Sequence, residues 1–397
     1  MISVDQAREY ILKEARPGAV EKVPLDEAGG RVLARDVPAD RDYPPFNRAA
    51  MDGFALRAED FNRDPARAIP VTQEIFAGMV GTPLEPGECA KIMTGAPVPE
   101  GADAIIKVED SSTPAPGMVA FSIAEVNAGR SIARKGEDAR EGDVLLRKGD
   151  MVSPLAAGTL ATVGAHELEV FAPLTAAILS TGDEVVPAAQ KPLPHQIRDS
   201  NHHSLHHFLK TYGIAPSLRE IVPDNPDRLR EAAARGLRAR ILIMTGGVSM
   251  GDADFVPEVL ADLGVEKIFH KVNIKPGKPL WFGRGPEGTA VFGLPGNPLS
   301  CQVGFKVFIE PFIRACLELA PAGSMLLPLG TDRRIKDGRE EFFPCSLQTR
   351  EGRTFIVPTA HRGSGDIKAA ARSTGLARQP AGHAQARTGD MLEYRPW

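Results

Sequence analysis

The sequence predicts a multidomain chain of α/β and β class. It should hold a central doubly wound α/β domain, a β-rich second domain and a small C-terminal β-barrel-like domain. Three observations lead to this. Between residues 173 and 322, short apolar strand patterns alternate with helical patterns. Between Pro44 and Gly129 the helical period is lost, and Pro and Gly recur between short apolar runs such as Ala104–Val108 and Met118–Ile123. After Pro321 the chain returns to short strands. We divide it into 1–42 plus 131–172, 43–130, 173–322 and 323–397.

Taken in order, Ser3 and Gln6 form a capping-box pattern that opens a helix with Val4, Ala7, Ile11 and Ala15 on one face, ended by Gly18. Ala176–Ser180 reads as a buried strand and 201–212 as a helix. Ser217–Val222 is a strand, followed by a helix capped by Asn225 with Pro226 at its first position. Ile241–Met244 is a strand, Pro257–Leu263 lies in a helix, and Ala290–Leu294 is a strand. A helix then runs from Pro298 toward Leu319. Strands are expected at Glu341–Leu347, Arg353–Val357 and Met391–Tyr394.

Composition narrows the function. The 397 residues are 43% hydrophobic and 25% charged, which is enough for several packed cores. A net charge of −4 argues against a nucleic-acid-coating protein. The four cysteines, Cys89, Cys301, Cys316 and Cys345, form no C-x-x-C pair, which argues against a zinc knuckle or disulfide framework and fits a reducing cytoplasmic compartment. No signal peptide and no membrane span are expected: the N-terminus lacks basic and apolar regions, and no run reaches ~18 apolar residues.

Ligands of a parallel α/β sheet bind beyond the carboxyl ends of its strands. Five loops of unusual chemistry collect at that edge. They are Thr181–Glu184, Pro223–Asn225, Thr245–Asp254, Lys275–Pro279 and Pro295–Ser300. Gly246, Gly247 and Gly251 open the backbone to close approach, Ser249 adds a hydroxyl, and a helix start follows. Pro295, Gly296, Asn297 and Pro298 precede another helix, with Ser300 inside it. Lys275 and Lys278 flank a stiff Pro-Gly turn and could face one anion. Glu184, Asp224 and Asp254 are hard oxygen donors beside these cradles and suggest Mg²⁺; the alternative, that Asp252 or Asp254 caps its helix, is the weaker reading beside the lysines. The loops match neither a Walker A motif nor a G-x-G-x-x-G turn.

His202, His203, His206 and His207 have i, i+4 spacing, which could hold a metal. The core stripe of Leu205, Phe208, Leu209 and Tyr212 turns His203 and His207 outward and leaves His202 and His206 on its flank. We therefore read them as solvated or boundary residues.

Several motifs in order resemble those of the MoeA and gephyrin E-domain family. They are Met51–Ala55, Thr94–Pro99 with Gly101-Ala102-Asp103, Gly136-Glu137-Asp138, Thr181–Glu184, Asp199-Ser200-Asn201, Gly246–Asp254, Lys275–Pro279 and Gly293–Ser300. The resemblance runs from about residue 5 to 376. It implies four domains, an elongated homodimer, and insertion of molybdate into adenylylated molybdopterin with Mg²⁺ and release of AMP. Asp52, Thr94, Glu184, Asp224 and Asp254 match positions important for activity in that family. Ser249, Lys275, Lys278 and Ser300 match positions lining its anion pocket, and Arg372 keeps its register in the terminal domain. The implied partners are a separate molybdopterin adenylyltransferase and maturation proteins of molybdoenzymes. Two departures stand out: Lys368-Ala369 where Ser-Ser is frequent, and Ala50 where Ser is frequent. The alternatives are a non-catalytic paralogue acting as a cofactor-binding or scaffold protein, and an enzyme that inserts tungstate.

Overall fold

The computed structural model describes residues 1–247, 255–334, 338–382 and 385–397. The chain forms two compact units: Met1–Ala34, Lys148–Ser153 and Leu168–Trp397 in one, Arg35–Arg147 and Pro154–Glu167 in the other.

The larger unit is built on a six-stranded sheet. Its strands are β1 (Ala176–Thr181), β2 (Leu218–Val222), β3 (Ile241–Thr245), β4 (Glu266–His270), β5 (Trp281–Arg284) and β6 (Ala290–Leu294), in the order β2-β1-β3-β6-β5-β4. β2, β1, β3 and β6 are parallel neighbours, whereas β5 runs antiparallel to both β6 and β4. The sheet is thus mixed rather than wholly parallel. The sequence pattern missed β4 and β5 because Glu266 and Lys267 break the apolar run and Gly283 interrupts the other.

β1, β3 and β6 are buried along their whole length, as strands covered on both faces must be. Their residues alternate between two cores. Ala176, Ile178, Ile241, Ile243 and Phe292 pack with Leu205 and Leu209 of α1 (Asn201–Lys210) and with Leu299 and Val303 of α4 (Pro298–Gly304). Ala177, Leu179, Leu242, Met244 and Val291 pack with Leu229, Ala232 and Ala233 of α2 (Pro226–Gly236) and with Val256, Val259 and Leu260 of α3 (Val256–Asp262). Two helices on each face make the sheet doubly wound.

The caps follow the sequence closely. Ser3 and Gln6 form the capping box of helix Val4–Lys13, whose Val4, Ala7 and Ile11 are buried. That helix stops at Lys13, short of Gly18, because Pro17 disfavours helical backbone at Arg16. Asn225 caps α2 by accepting from the amides of Asp227 and Arg228 at 3.1 and 3.0 Å. Asn225→Ala should cost about 1 kcal/mol, read as a lower urea midpoint for this unit; an unchanged midpoint would show that the cap is dispensable. The long helix after Pro298 is interrupted. α4 passes into a π-helical turn at Phe305–Ile309 and then α5 (Glu310–Cys316). Pro311 has no N–H for the Val307 carbonyl and would crowd it, and a π turn relieves that clash.

The C-terminal part of this unit is a curled sheet. Glu340–Arg350 pairs with both Arg353–Pro358 and Gly375–Gln379, and Met391–Pro396 joins Gly375–Gln379 to Met325–Pro328. A bridge from Leu329 to Ile356 closes it around Phe343, Cys345, Ile356, Ala377 and Tyr394. The smaller unit holds six strands in the order Ala104–Lys107, Gly53–Leu56, Cys89–Ile92, Ile69–Ile75, Met118–Phe121 and Ser111–Ala115. Its strand residues also alternate: Phe54 and Leu56 face a core with Phe61, and Ala55 faces Ile75, Ile92 and Ile105. No helix among the described residues is long and apolar enough to cross a membrane.

Candidate functional site

The chain leaves β1 for β2 on one side and returns through α2 to β3 on the other. The carboxyl ends of β1 and β3 therefore flank a topological switch point, where open α/β sheets bind ligands. A cavity of about 560 Å³ lies there. Among the described residues its wall includes Glu184, Gly246, Gly247, Pro295, Gly296, Asn297 and Pro298, seven of the expected positions.

Polar strand ends form part of the same wall. Ser180, Thr181 and Thr245 are buried hydroxyls at the ends of otherwise apolar strands. Thr245 Oγ1 donates to Ser180 Oγ at 3.3 Å, and Thr181 Oγ1 to the Thr245 carbonyl at 3.4 Å. Sequence reading placed Ser180 in a buried strand and Thr181 and Thr245 at the heads of two edge loops, and gave none of these hydroxyls a role; the signal was the hydroxyls closing the runs Ala-Ala-Ile-Leu-Ser-Thr and Ile-Leu-Ile-Met-Thr. Asp199 and Asn201 also face the cavity. Asp199 Oδ1 accepts from the His202 amide at 3.0 Å, and the Asn201 amide donates to the Gly296 carbonyl at 2.7 Å. That second bond ties the start of α1 to the loop after β6.

Gly246 has φ +86°, and a Cβ there would lie 2.6 Å from the Thr181 carbonyl oxygen. The turn after β3 needs glycine because it presses against the end of β1. Its N–H groups are less open than the sequence suggests. The Gly246 amide donates to the Leu294 carbonyl at 3.1 Å, and the Leu299 amide to Ser364 at 3.1 Å. Closing the turn after β3 against the end of β6, and the start of α4 against Ser364, uses donors that an anion could have taken.

Other expected residues lie elsewhere. The Asp224 amide donates to Asp183 Oδ1 at 3.1 Å, so the loops after β1 and β2 adjoin. Ser300 is buried in α4. Lys275 and Lys278 are not on the cavity wall. Lys275 lies 3.6 Å from Glu341, a buried carboxylate that also pairs with Arg333 at 2.7 Å. A buried carboxylate requires compensating charge, which engages this lysine. Arg372 lines an adjoining recess with Arg362 and Lys368 that shares Gly365 and Ile367 with the cavity. Ser249, Gly251 and Asp254 lie outside the described residues.

Asp52 and Thr94 belong to the smaller unit, at the same end of the paired strands Gly53–Leu56 and Cys89–Ile92. Asp52 Oδ1 accepts from the Thr94 amide at 2.7 Å and its hydroxyl at 2.6 Å. These bonds hold the Asp52 carboxyl below its usual range, the hydroxyl contributing most. Thr94→Val should move its titration midpoint back up, followed by carbonyl NMR; an unmoved midpoint would remove the hydroxyl as the cause. The histidines sit as expected. His203 and His207 are exposed and His202 and His206 half-buried. The four cysteines are buried free thiols, and burial pushes Cys89 and Cys345 up to about 12.

These features define a doubly wound α/β unit with a cavity at its switch point. Three family models match the chain: the MoeA N-terminal region (domain I and II) over residues 2–164, the probable molybdopterin binding domain over 177–315, and the MoeA C-terminal region (domain IV) over 327–397. The chain is 38% identical to a molybdopterin molybdenumtransferase of Synechococcus elongatus, covering 100% of this chain and 99% of that one. It is 36% identical to one of Haemophilus influenzae over 79% of this chain and 77% of the other. A solved molybdopterin biosynthesis moeA protein of Pyrococcus horikoshii OT3 superposes with a TM-score of 0.87 at 27% identity, covering 100% of both chains. The chain belongs to the MoeA family of molybdopterin molybdenumtransferases. It is an enzyme of the transferase class with a role in molybdenum cofactor biosynthesis.

Proposed function

We propose that this enzyme inserts molybdate into adenylylated molybdopterin, with Mg²⁺, and releases AMP. The observation that carries the reading is the switch-point cavity, which sets Gly-rich turns and strand-end hydroxyls around the exposed Glu184 carboxylate. Such a wall suits an anionic ligand that brings its own phosphate oxygens. The donor set also fits a hard cation. Glu184 stands on the wall, and the Asp183–Asp224 bond brings the neighbouring loop alongside. Mg²⁺ takes one or two carboxylates together with phosphate oxygens and water. When bound, it polarises the phosphoanhydride. Asp254 completes the carboxylate set in this proposal. Glu184 and Asp224 hold the cation, and Gly247, Pro295, Gly296 and Asn297 orient the phosphates. Lys278 and Arg372 serve the molybdate side, whereas Lys275 is held by Glu341 and Ser300 is buried in α4. A separate molybdopterin adenylyltransferase supplies the substrate, and maturation proteins of molybdoenzymes receive the product.

The test supplies adenylylated molybdopterin, molybdate and Mg²⁺ to the full chain and follows AMP. AMP release that requires both ions supports the reading. No release, or release indifferent to molybdate, overturns it. The same proposal includes a homodimer in which Asp52 serves the partner's site as an orienting group or proton acceptor. Mixing the impaired Asp52→Ala and Glu184→Gln chains should restore part of the activity in exchanged dimers. Absence of any recovery once exchange is demonstrated removes the shared site.

A further inference from the structure

α1 carries four histidines in two turns, His202, His203, His206 and His207. Its first residue, Asn201, stands on the cavity wall and ties the helix to the Gly296 carbonyl at 2.7 Å. The seating of α1 therefore shapes one side of the cavity. The helix packs against β1 and α4. β1 brings no titratable side chain, and α4 brings only Cys301, a thiol that burial pushes above its ordinary value.

His206 is half-buried, and its Nδ1 is sealed from solvent with no hydrogen-bond partner. A neutral ring tolerates this, with its proton on Nε2. A second proton would place a charge and an N–H donor where no acceptor stands among the described residues. The charged and titratable groups that face the ring are Arg219 of β2 and, along α1, His207, Lys210 and His203. Arg219 and Lys210 repel an added positive charge, and the neighbouring histidines do so once protonated. Burial, reinforced by these neighbours, holds His206 below the ordinary histidine value. Burial also lowers His202, but there the Asp199 carboxylate, 3.8 Å from Nδ1, works in the opposite direction. His206 is the more sharply poised of the two.

We propose that α1 is an acid-released clamp on the switch-point cavity, in which a proton on the sealed Nδ1 of His206 unseats the helix and loosens the bond from Asn201 to Gly296. Above about pH 6.5 the imidazole is neutral whether or not the helix is docked, and nothing is lost. As pH falls through that value, the released helix takes up a proton that the docked helix refuses, and docking weakens. The cavity wall at Asn201 loosens with it.

Hydrogen exchange of the full chain, followed by mass spectrometry and corrected for intrinsic rates, reads the clamp directly. Between about pH 7.5 and 5.5, on either side of the ordinary histidine value, α1 should lose roughly three- to tenfold more protection than α2, which carries no histidine. His206→Leu and His206→Gln, which cannot titrate, should both flatten that difference while leaving α1 protected at the higher pH. Imidazole NMR should place the His206 midpoint below about 6.5. A midpoint at or above that value, equal loss of protection in α1 and α2, or a difference that persists in both variants overturns the proposal.

Discussion

Gly246→Ala should be among the most damaging single-atom changes in the chain. Its backbone sits at φ +86°, where an L side chain costs ~1–2 kcal/mol. The new Cβ would also lie 2.6 Å from the Thr181 carbonyl oxygen, a rigid backbone group at the end of β1. Overpacking of this kind costs typically 1–3 kcal/mol. The sum is about 2–5 kcal/mol, or a displaced turn and a deformed cavity. Gly213→Ala supplies the comparison: φ is +70° there, but nothing lies within 4 Å of the added Cβ. It should show the backbone cost alone. Urea denaturation of both variants reads the difference. Equal destabilisation would mean that the close approach of the β1 and β3 ends is not what requires glycine at 246.

Glu184→Gln should slow Mg²⁺-dependent AMP release by about a hundredfold, on the order of 2.7 kcal/mol in the barrier. The amide keeps the size of the side chain and its capacity to accept a hydrogen bond, and removes the charge that a hard cation needs. Glu184 is exposed on the cavity wall, so the substitution leaves no buried charge uncompensated and should not disturb the fold. The Mg²⁺ concentration giving half-maximal rate should rise, while binding of the pterin phosphate in the absence of metal should stay close to wild type. Loss of pterin binding with an unaltered Mg²⁺ response would move Glu184 from cation holding to ligand binding.

Much of the fold was legible because local signals agreed with one another. The Ser3 capping box, the Asn225-Pro226 helix start and the fully apolar strand at Ala290–Leu294 all formed where the pattern put them. The helix from Pro298 was legible only in part, since the π turn before Pro311 depends on how the chain accommodates a missing donor inside a buried helix. β4 and β5 were missed because each is short and carries a charge or a glycine. Their pairing with β6 supplies the stability that their own residues do not announce.

The sequence by itself determined the class, the order of the elements and the clustering of unusual loops at one sheet edge. Burial on both faces demands apolar strands, and tight turns demand glycine, so these features are written in residue types. Only the tertiary structure decided which loop groups reach the ligand. Gly246 looked open, yet its amide is used by the Leu294 carbonyl. Lys275 looked free to meet an anion, yet it lies beside the buried Glu341 carboxylate, contributed by a strand more than sixty residues away. Ser180 looked like core, yet its strand ends at the switch point and it faces the cavity. A hydrogen-bond donor, a charge or a hydroxyl has its chemistry fixed by residue type, but its availability depends on the partner that folding places beside it.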